Sequence, residues 1–472
     1  MADDIAVVAH NYSRLAGLKK FELIEPRTFS IHNYEEADNI LTQWTILAQK
    51  AQELYDDLDD SFQPAFFQLV LHPVLSGANF YDVMISSQRN EIYAMQGRNS
   101  ANAYAQRVLD DFKTDHQLTA RYNKIWPHFM DQTHFGYLYW QQPMRQYTPP
   151  LYFVQALEGS LAGDLGLTVE GTNASVPGDD KFHDLSSNML TTPPMNPYGP
   201  KRWIDIFSTG LNPVTFNVSA ELHVKVSQTS GTLYPDGDKT DLRLWVDIDW
   251  SKAPAGSYNT IINVTSSAGY GTQYSMPQVA IPIQHATVPS SFTNGFVESD
   301  KTISIEAEHY SRISGGSSQV KYGTLPGFGR HISGLTILPV TAPSLTTATA
   351  PALEYDIYTF TNLTYPANLT VILGEGLNTY PSRPLRYAVA FDDQKPQEVK
   401  YITDGQKGAN PVNWSPAVEN ASWQVKTNHT LTSGKHTLKF WALEPAVVLT
   451  KIVLDLGGVR PSYLGPPESY RA

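Results

Sequence analysis

Residues 242–250 read LRLWVDIDW, in which Leu242, Leu244, Val246, Ile248 and Trp250 are separated by Arg243, Trp245, Asp247 and Asp249. Side chains two apart share one face of a strand, so the run is a half-buried strand with one apolar side. The same period of two runs through ELHVKVS (221–227), YNTIINVTS (258–266) and QVAIPIQ (278–284). Together these predict a small antiparallel β-sandwich over residues 201–286.

Upstream the period changes. In NYEEADNILTQWTILAQKAQELYDDL (33–58), Ala37, Ile40, Leu41, Trp44, Leu47, Ala48, Ala51, Leu54 and Tyr55 recur at steps of three and four, which places them on one helix face. Asn33 followed by Glu36 reads as a capping-box start, each side chain serving a free backbone amide of the other end of the box. A second helical pattern follows Ser61 with Pro64 in its first turn, and is expected to bend or break at His72-Pro73. A third begins after Ser100 with Ala101, Tyr104, Ala105, Val108, Leu109 and Phe112 on one stripe. Residues 1–125 therefore read as a helical bundle.

From 126 to 200 the periodicity fades and proline recurs, as in YTPPLYF (147–153) and TTPPMNPYGPKRW (191–203), so an irregular connector is expected there. Beyond Pro/Ser/Thr punctuation at 288–294, the runs KTISIEAEHY, NLTVILGE, LRYAVAFDD, HTLKFWALE and LTKIVLDLGG predict a second sandwich over 290–472. The fold class is thus multidomain α + β: an N-terminal helical bundle followed by two antiparallel β-sandwich domains. A chain of 472 residues exceeds what one hydrophobic core usually serves, which agrees with several domains.

Composition narrows the function. A formal charge of −12 disfavours electrostatic capture of nucleic acid or of an anionic membrane surface, both of which need clustered Lys and Arg. No apolar run is long enough to span a membrane, and the start MADDIAVVAHNYSR carries acid where a secretory leader carries base. Cysteine is absent, which removes disulfides, thiolate metal sites and cysteine nucleophiles. Asn-x-Ser/Thr acceptors at Asn11, Asn173, Asn217, Asn263, Asn362, Asn368, Asn413, Asn420 and Asn428 point to a secreted glycoprotein whose leader lies outside this sequence.

Neither GEGLNTYPSR nor GFGRHISG has the lysine or the βαβ setting of a nucleotide loop, and neither a His-Glu-x-x-His nor a G-x-S-x-G elbow occurs. The acids of YDDLDD (55–60) are a solvated helix end; Asp392 and Asp393 read as a hairpin turn. The densest stretch is MDQTHFGYLYWQQP (130–143). Aromatic rings lie flat on the C–H faces of sugars while Gln, His and Arg bond hydroxyls and carboxylates, so His134, Tyr137, Trp140 and Gln142, with Arg98, are the candidate carbohydrate contacts. Packing between a bundle and a sandwich would use the same rings. Glu306 and Glu308 sit two apart on one strand and, with Asp455 from the last strand, form the candidate set for a structural calcium; exposed acids on an edge strand are the plainer account.

The strings NYSRLAGLKKFELIEPRTFSIHNYEEA (11–37), QGRNSANAYAQRV (96–108), MDQTHFGYLYWQQP, RWIDIFSTG (202–210), VDIDWSKAPAG (246–256), SIEAEHYSR (304–312) and PSYLGPPES (461–469), in this order, resemble glycoside hydrolase family 115, the xylan α-1,2-glucuronidases. The resemblance implies an enzyme that removes glucuronic or 4-O-methylglucuronic acid from xylan with inversion, using Asp/Glu residues in a (β/α)8 barrel and no catalytic cofactor. In that family the barrel precedes a helical bundle and β-sandwich domains, the last of them resembling carbohydrate-binding modules. Here the bundle pattern is already present at Asn33, and no barrel is read before it. No catalytic residue can be carried over.

The resulting expectation is the C-terminal part of a secreted α-glucuronidase, extracellular in its full-length form and inactive as this chain, with xylan or glucuronoxylan oligosaccharides as partners. A stand-alone xylan-binding protein is the alternative, and the reading leaves a homodimer open.

Overall fold

A computed structural model describes residues 1–125, 147–156, 164–176, 189–266, 277–406 and 409–472, with the side chains of 122–125 excepted. His134, Tyr137, Trp140 and Gln142 lie outside the described residues. The chain divides into two compact units. Unit 1 comprises Met1–Ala16, Phe21–His285 and Pro461–Tyr463; unit 2 comprises Gly17–Lys20, Ala286–Arg460 and Leu464–Ala472.

Unit 1 opens with helices α1 (Ala2–Ala16), α2 (Glu36–Asp56), α3 (Gln63–Phe66), α4 (His72–Met95) and α5 (Ala101–Ile125). In α2 the periodic stripe buries Ala37, Ile40, Trp44, Leu47, Ala51 and Leu54, as its spacing requires. Helix α4 is buried on several faces, and Gly77 lets it approach α2 closely: a Cβ there would lie 2.6 Å from the Trp44 ring.

Two local expectations need correction. No break occurs at His72-Pro73; a π-helical turn, Phe67–Leu71, leads straight into α4, so Pro73 stands inside a continuous helical run and its missing N–H falls just after that irregular turn. The capping box does not form either. Glu35 enters α2 in the left-handed region at φ 51° with no side-chain cap. Glu36 Oε2 instead accepts from the backbone N–H of Ser30 at 2.7 Å and of Tyr463 at 3.1 Å, and the Asn33 amide donates to Pro461 O at 2.9 Å. A segment more than four hundred residues away along the chain outcompetes the local cap.

The sandwich of unit 1 is built from β1 (Leu165–Val169), β2 (Ser175–Val176), β3 (Met189–Thr191), β4 (Arg202–Ser208), β5 (Val214–Ser219), β6 (Val224–Val226), β7 (Ser230–Leu233), β8 (Asp241–Ile248), β9 (Gly256–Ser266) and β10 (Gln278–His285). Its sheets run β2-β1-β4-β8-β6 and β3-β10-β9-β5-β7. Leu244, Val246 and Ile248 of the opening stretch enter its core, with Leu242 and Trp250 packed against it. Three of these strands come from the stretch read as an irregular connector. One of them, β3, pairs parallel with β10, so the sandwich is not wholly antiparallel: β3 enters from that connector rather than through a hairpin.

Unit 2 is a second sandwich: β11 (Phe296–Val297), β12 (Thr302–Glu306), β13 (Arg312–Ser314), β14 (Lys321–Pro326), β15 (Ser333–Leu338), β16 (Ala352–Thr359), β17 (Ala367–Leu373), β18 (Arg386–Phe391), β19 (Gln397–Lys400), β20 (Trp423–His429), β21 (Gly434–Ala442) and β22 (Leu449–Asp455), with a short helix α6 (Trp414–Glu419). One sheet runs β11-β16-β21-β18-β19 with β13 on β16, the other β14-β15-β22-β17-β20 with β12 on β22. Tyr355, Tyr387 and Phe440 from the first meet Ile303, Val371 and Leu454 from the second in one core. β11 pairs parallel with β16, again a short strand added at an edge. Among the described residues no closed ring of parallel strands is present.

Candidate functional site

Arg98 follows α4 and sits inside unit 1, where the bundle meets its sandwich. Its guanidinium lies between the rings of Tyr93 and Phe207, 3.9 and 4.2 Å from their centroids. It pairs with Asp205 at 3.4 Å and Asp241 at 3.3 Å, while Arg243 holds Asp205 from the other side at 2.8 Å and reaches Asp38 at 3.2 Å. Burial works against ionisation of Asp205, but Arg243 and Arg98 overcome it and keep its carboxyl below the ordinary value. Arg98 is 1% exposed. A guanidinium so enclosed joins two layers of unit 1.

The three acids read as a calcium set do not converge. β12 ends at Glu306, so Glu308 lies on the 3-10 turn Ala307–His309 rather than two residues along a strand. Glu306 stands opposite Lys451, and Asp455 opposite Thr302, four residues away along the same ladder or roughly 13 Å. Asp455 Oδ1 accepts from the backbone N–H groups of Gly457 at 2.8 Å and Gly458 at 3.1 Å. Glu306 pairs with Lys451 Nζ at 3.3 Å. Among the described residues no group of three His, Asp or Glu side chains could hold a metal ion.

A different arrangement sits at one rim of the β14-β15-β22-β17-β20 sheet. The hairpin loop between β14 and β15, closed by Gly327 N–H to Ile332 O at 2.9 Å, carries Phe328, Arg330 and His331. These, with Gly17, Glu375, Ser422 and Thr450, line a cavity of about 310 Å³. Phe328 lies against two glycines: a Cβ at Gly374 would come within 2.4 Å of its ring and one at Gly334 within 3.0 Å. Those positions admit no side chain while the ring stays in place.

Beneath the loop, His331 and Arg330 are 9% and 6% exposed. His331 Nε2 has no hydrogen-bond partner, and its Nδ1 stands 3.8 Å from Glu306, too far for a hydrogen bond. Burial, then the charges of Lys451 and Arg330, hold the imidazole well below its ordinary pKa, so it is neutral at pH 7. Burial likewise raises Glu306 and lowers Lys451, and each partner's charge offsets part of that cost. Glu375 supplies an exposed carboxylate at the rim. The arrangement offers donors, a carboxylate acceptor and a ring.

Two other cavities carry less. One of about 380 Å³ in unit 2 is walled by loop residues such as Ser317, Thr341, Ser344 and Thr349, without an ionisable group. One of about 290 Å³ in the bundle is lined by Trp44, Asn79, Asp82 and Asp111. Sequence reading passed over the Arg330-His331 pair because GFGRHISG was weighed only as a nucleotide loop. The available signal was an adjacent Arg and His in a glycine-rich hairpin.

Residues 295–468 match the family model of the glycosyl hydrolase family 115 C-terminal domain. No curated protein sequence matches the chain. Among solved structures it is similar to a family GH115 4-O-methyl-alpha-glucuronidase with specificity for decorated arabinogalactans, at 12% identity and TM-score 0.47, covering 96% of this chain and 39% of that one. The chain thus spans about two fifths of the length of that structure. It is also similar to the C-terminal family 6 carbohydrate-binding module of a laminarinase from Zobellia galactanivorans, at 11% identity and TM-score 0.21, covering 33% of this chain and 98% of that one. A family 35 carbohydrate-binding module from Clostridium thermocellum gives 11% identity and TM-score 0.22, covering 32% and 97%. The part of unit 2 that supplies every lining residue of the Arg330-His331 cavity except Gly17 therefore carries the match to the family 115 C-terminal domain.

Proposed function

We propose that the chain is the non-catalytic, C-terminal part of a secreted glycoside hydrolase of the xylan α-1,2-glucuronidase type, in which unit 2 holds carbohydrate and no residue of the chain cuts it. The observation that carries this reading is the match of residues 295–468 to the family 115 C-terminal domain. It is supported by the polar cavity of unit 2 and by the mainly antiparallel sheets of both units, which among the described residues form no ring of parallel strand ends of the kind that places acid and base in a (β/α)8 barrel. Exposed acceptor asparagines at Asn173, Asn217, Asn362, Asn368 and Asn428 agree with secretion. The test is co-sedimentation of the intact chain with insoluble glucuronoxylan. Retention that soluble glucuronoxylan competes away is expected; a chain left wholly in the supernatant contradicts the reading.

A further inference from the structure

We propose that unit 2 carries a pair of N-linked glycans, on Asn368 and Asn428, side by side on the outer face of one sheet at the end away from the Arg330-His331 cavity, with the Tyr365 ring against the first sugar of Asn368. This rests on the secretion part of the reading above and adds which acceptors are occupied and where their sugars stand. Asn368 of β17 and Asn428 of β20 are direct cross-strand partners, and β20 is the last strand of its sheet among the described residues. Ala367, Leu369 and Val371 alternate with Asn368 and enter the core, so the two asparagines share the outer face, where both are exposed.

The local geometry leaves both amides available. Among the described residues neither asparagine side chain makes a hydrogen bond, whereas Asn413 is half-buried and its amide donates to Tyr401 O at 3.2 Å. Cross-strand side chains start about 5 Å apart, and on antiparallel strands they lean in opposite directions, so two sugars can diverge. At each site Nδ2 bonds to C1 of N-acetylglucosamine, the C1–O bond to a lipid diphosphate donor breaks, and the amide proton leaves with the diphosphate. Tyr365 is 55% exposed three residues before Asn368, and a Cβ on Gly457 would lie 2.9 Å from its hydroxyl, just past Asp455, the β22 partner of Asn368. The ring therefore stands at the same end of the ladder, and the C–H face of a pyranose suits it. From Asn368 to Leu373, which lines the cavity, is five residues or roughly 17 Å of strand, so the sugars leave the cavity clear.

The experiment secretes the full chain from a eukaryotic host behind a supplied leader. N-glycans are then released from the folded chain by an amidase that turns each occupied Asn into Asp, and peptide mass spectrometry reads the conversion. Conversion of both Asn368 and Asn428 in most chains is expected. Release should lower the melting temperature by about 1–3 °C, and by clearly less in Tyr365→Ala, which undergoes the same change of Asn to Asp but lacks the ring. An equal fall in that variant overturns the Tyr365 contact. Conversion of Asn173 or Asn217 with Asn368 or Asn428 left bare in most chains overturns the proposal while secretion stands. Conversion at none of the acceptors overturns both.

Discussion

The Arg98 guanidinium lies 3.4 Å from Asp205 Oδ2 inside unit 1, and Arg243 Nε reaches the other carboxylate oxygen at 2.8 Å, so one buried acid is shared by two cations from different layers. Removing Arg98 takes one of the two cations from buried Asp205 and leaves half-buried Asp241 without its cation, with the Ser100 hydroxyl still donating to it at 2.7 Å. Arg98→Met should cost about 3–5 kcal/mol in urea unfolding. Arg98→Lys should recover only part of it, because an ammonium cannot lie flat between Tyr93 and Phe207. A loss below about 0.5 kcal/mol for Met would show that the cluster is not a joint.

Close approach around Phe207 gives a second expectation. A Cβ on Gly166 would fall 2.1 Å from the Phe207 ring. Gly166→Ala should therefore destabilise by about 1–3 kcal/mol, and Phe207→Leu in the same chain should return part of the loss even though Leu alone is unfavourable. Strict additivity of the two changes would show that they do not share this contact.

His32 sets an acid limb. Burial first, then Arg98 and Arg243, hold its imidazole down at about 4, with Asp205 pulling the other way. A depressed folded value means the contribution is complete above the unfolded value of about 6.5 and is lost as pH falls through 4; the span corresponds to about 3 kcal/mol. Urea midpoints at about pH 7 and pH 4.5 should fall further for the native chain than for His32→Asn. Parallel falls would remove His32 from the acid limb.

Asp111 acts in the opposite sense. Burial, together with Asp82, raises its carboxyl to about 7, against the pull of Arg107. A carboxyl whose folded value is raised binds more protons folded than unfolded, so this group favours folding increasingly as pH drops from 7 toward 4. Asp111→Asn should accordingly stabilise the chain near pH 8 by about 1–2 kcal/mol, discounted for partial exposure, and by little at pH 4. Equal gains at both pH values would assign the effect to packing alone.

Much of the architecture was legible from period alone. The stripe of α2 and the alternation of β8 each reflect a face buried along its whole length, and both elements formed where the pattern placed them. What escaped was decided by partners distant in sequence. Glu36 looked like a local cap, but Ser30 and Tyr463 take its carboxylate; β1, only five residues long, is fixed by its ladder with β4 rather than by a pattern of its own. The sites were less legible. Arg98 has the composition of a ligand contact, and only its own burial beside buried Asp205 reveals a joint. Arg330 and His331 gain meaning from the fold, which brings Glu375, Ser422 and Thr450 around their loop.

The central claim, that this chain holds carbohydrate without cutting it, is tested most directly by titrating the intact chain with glucuronoxylan in a calorimeter and assaying the recovered solution for released glucuronic acid. Saturable heat with no free acid is the predicted result. Absence of heat, or glucuronic acid accumulating with time and chain concentration, would contradict it.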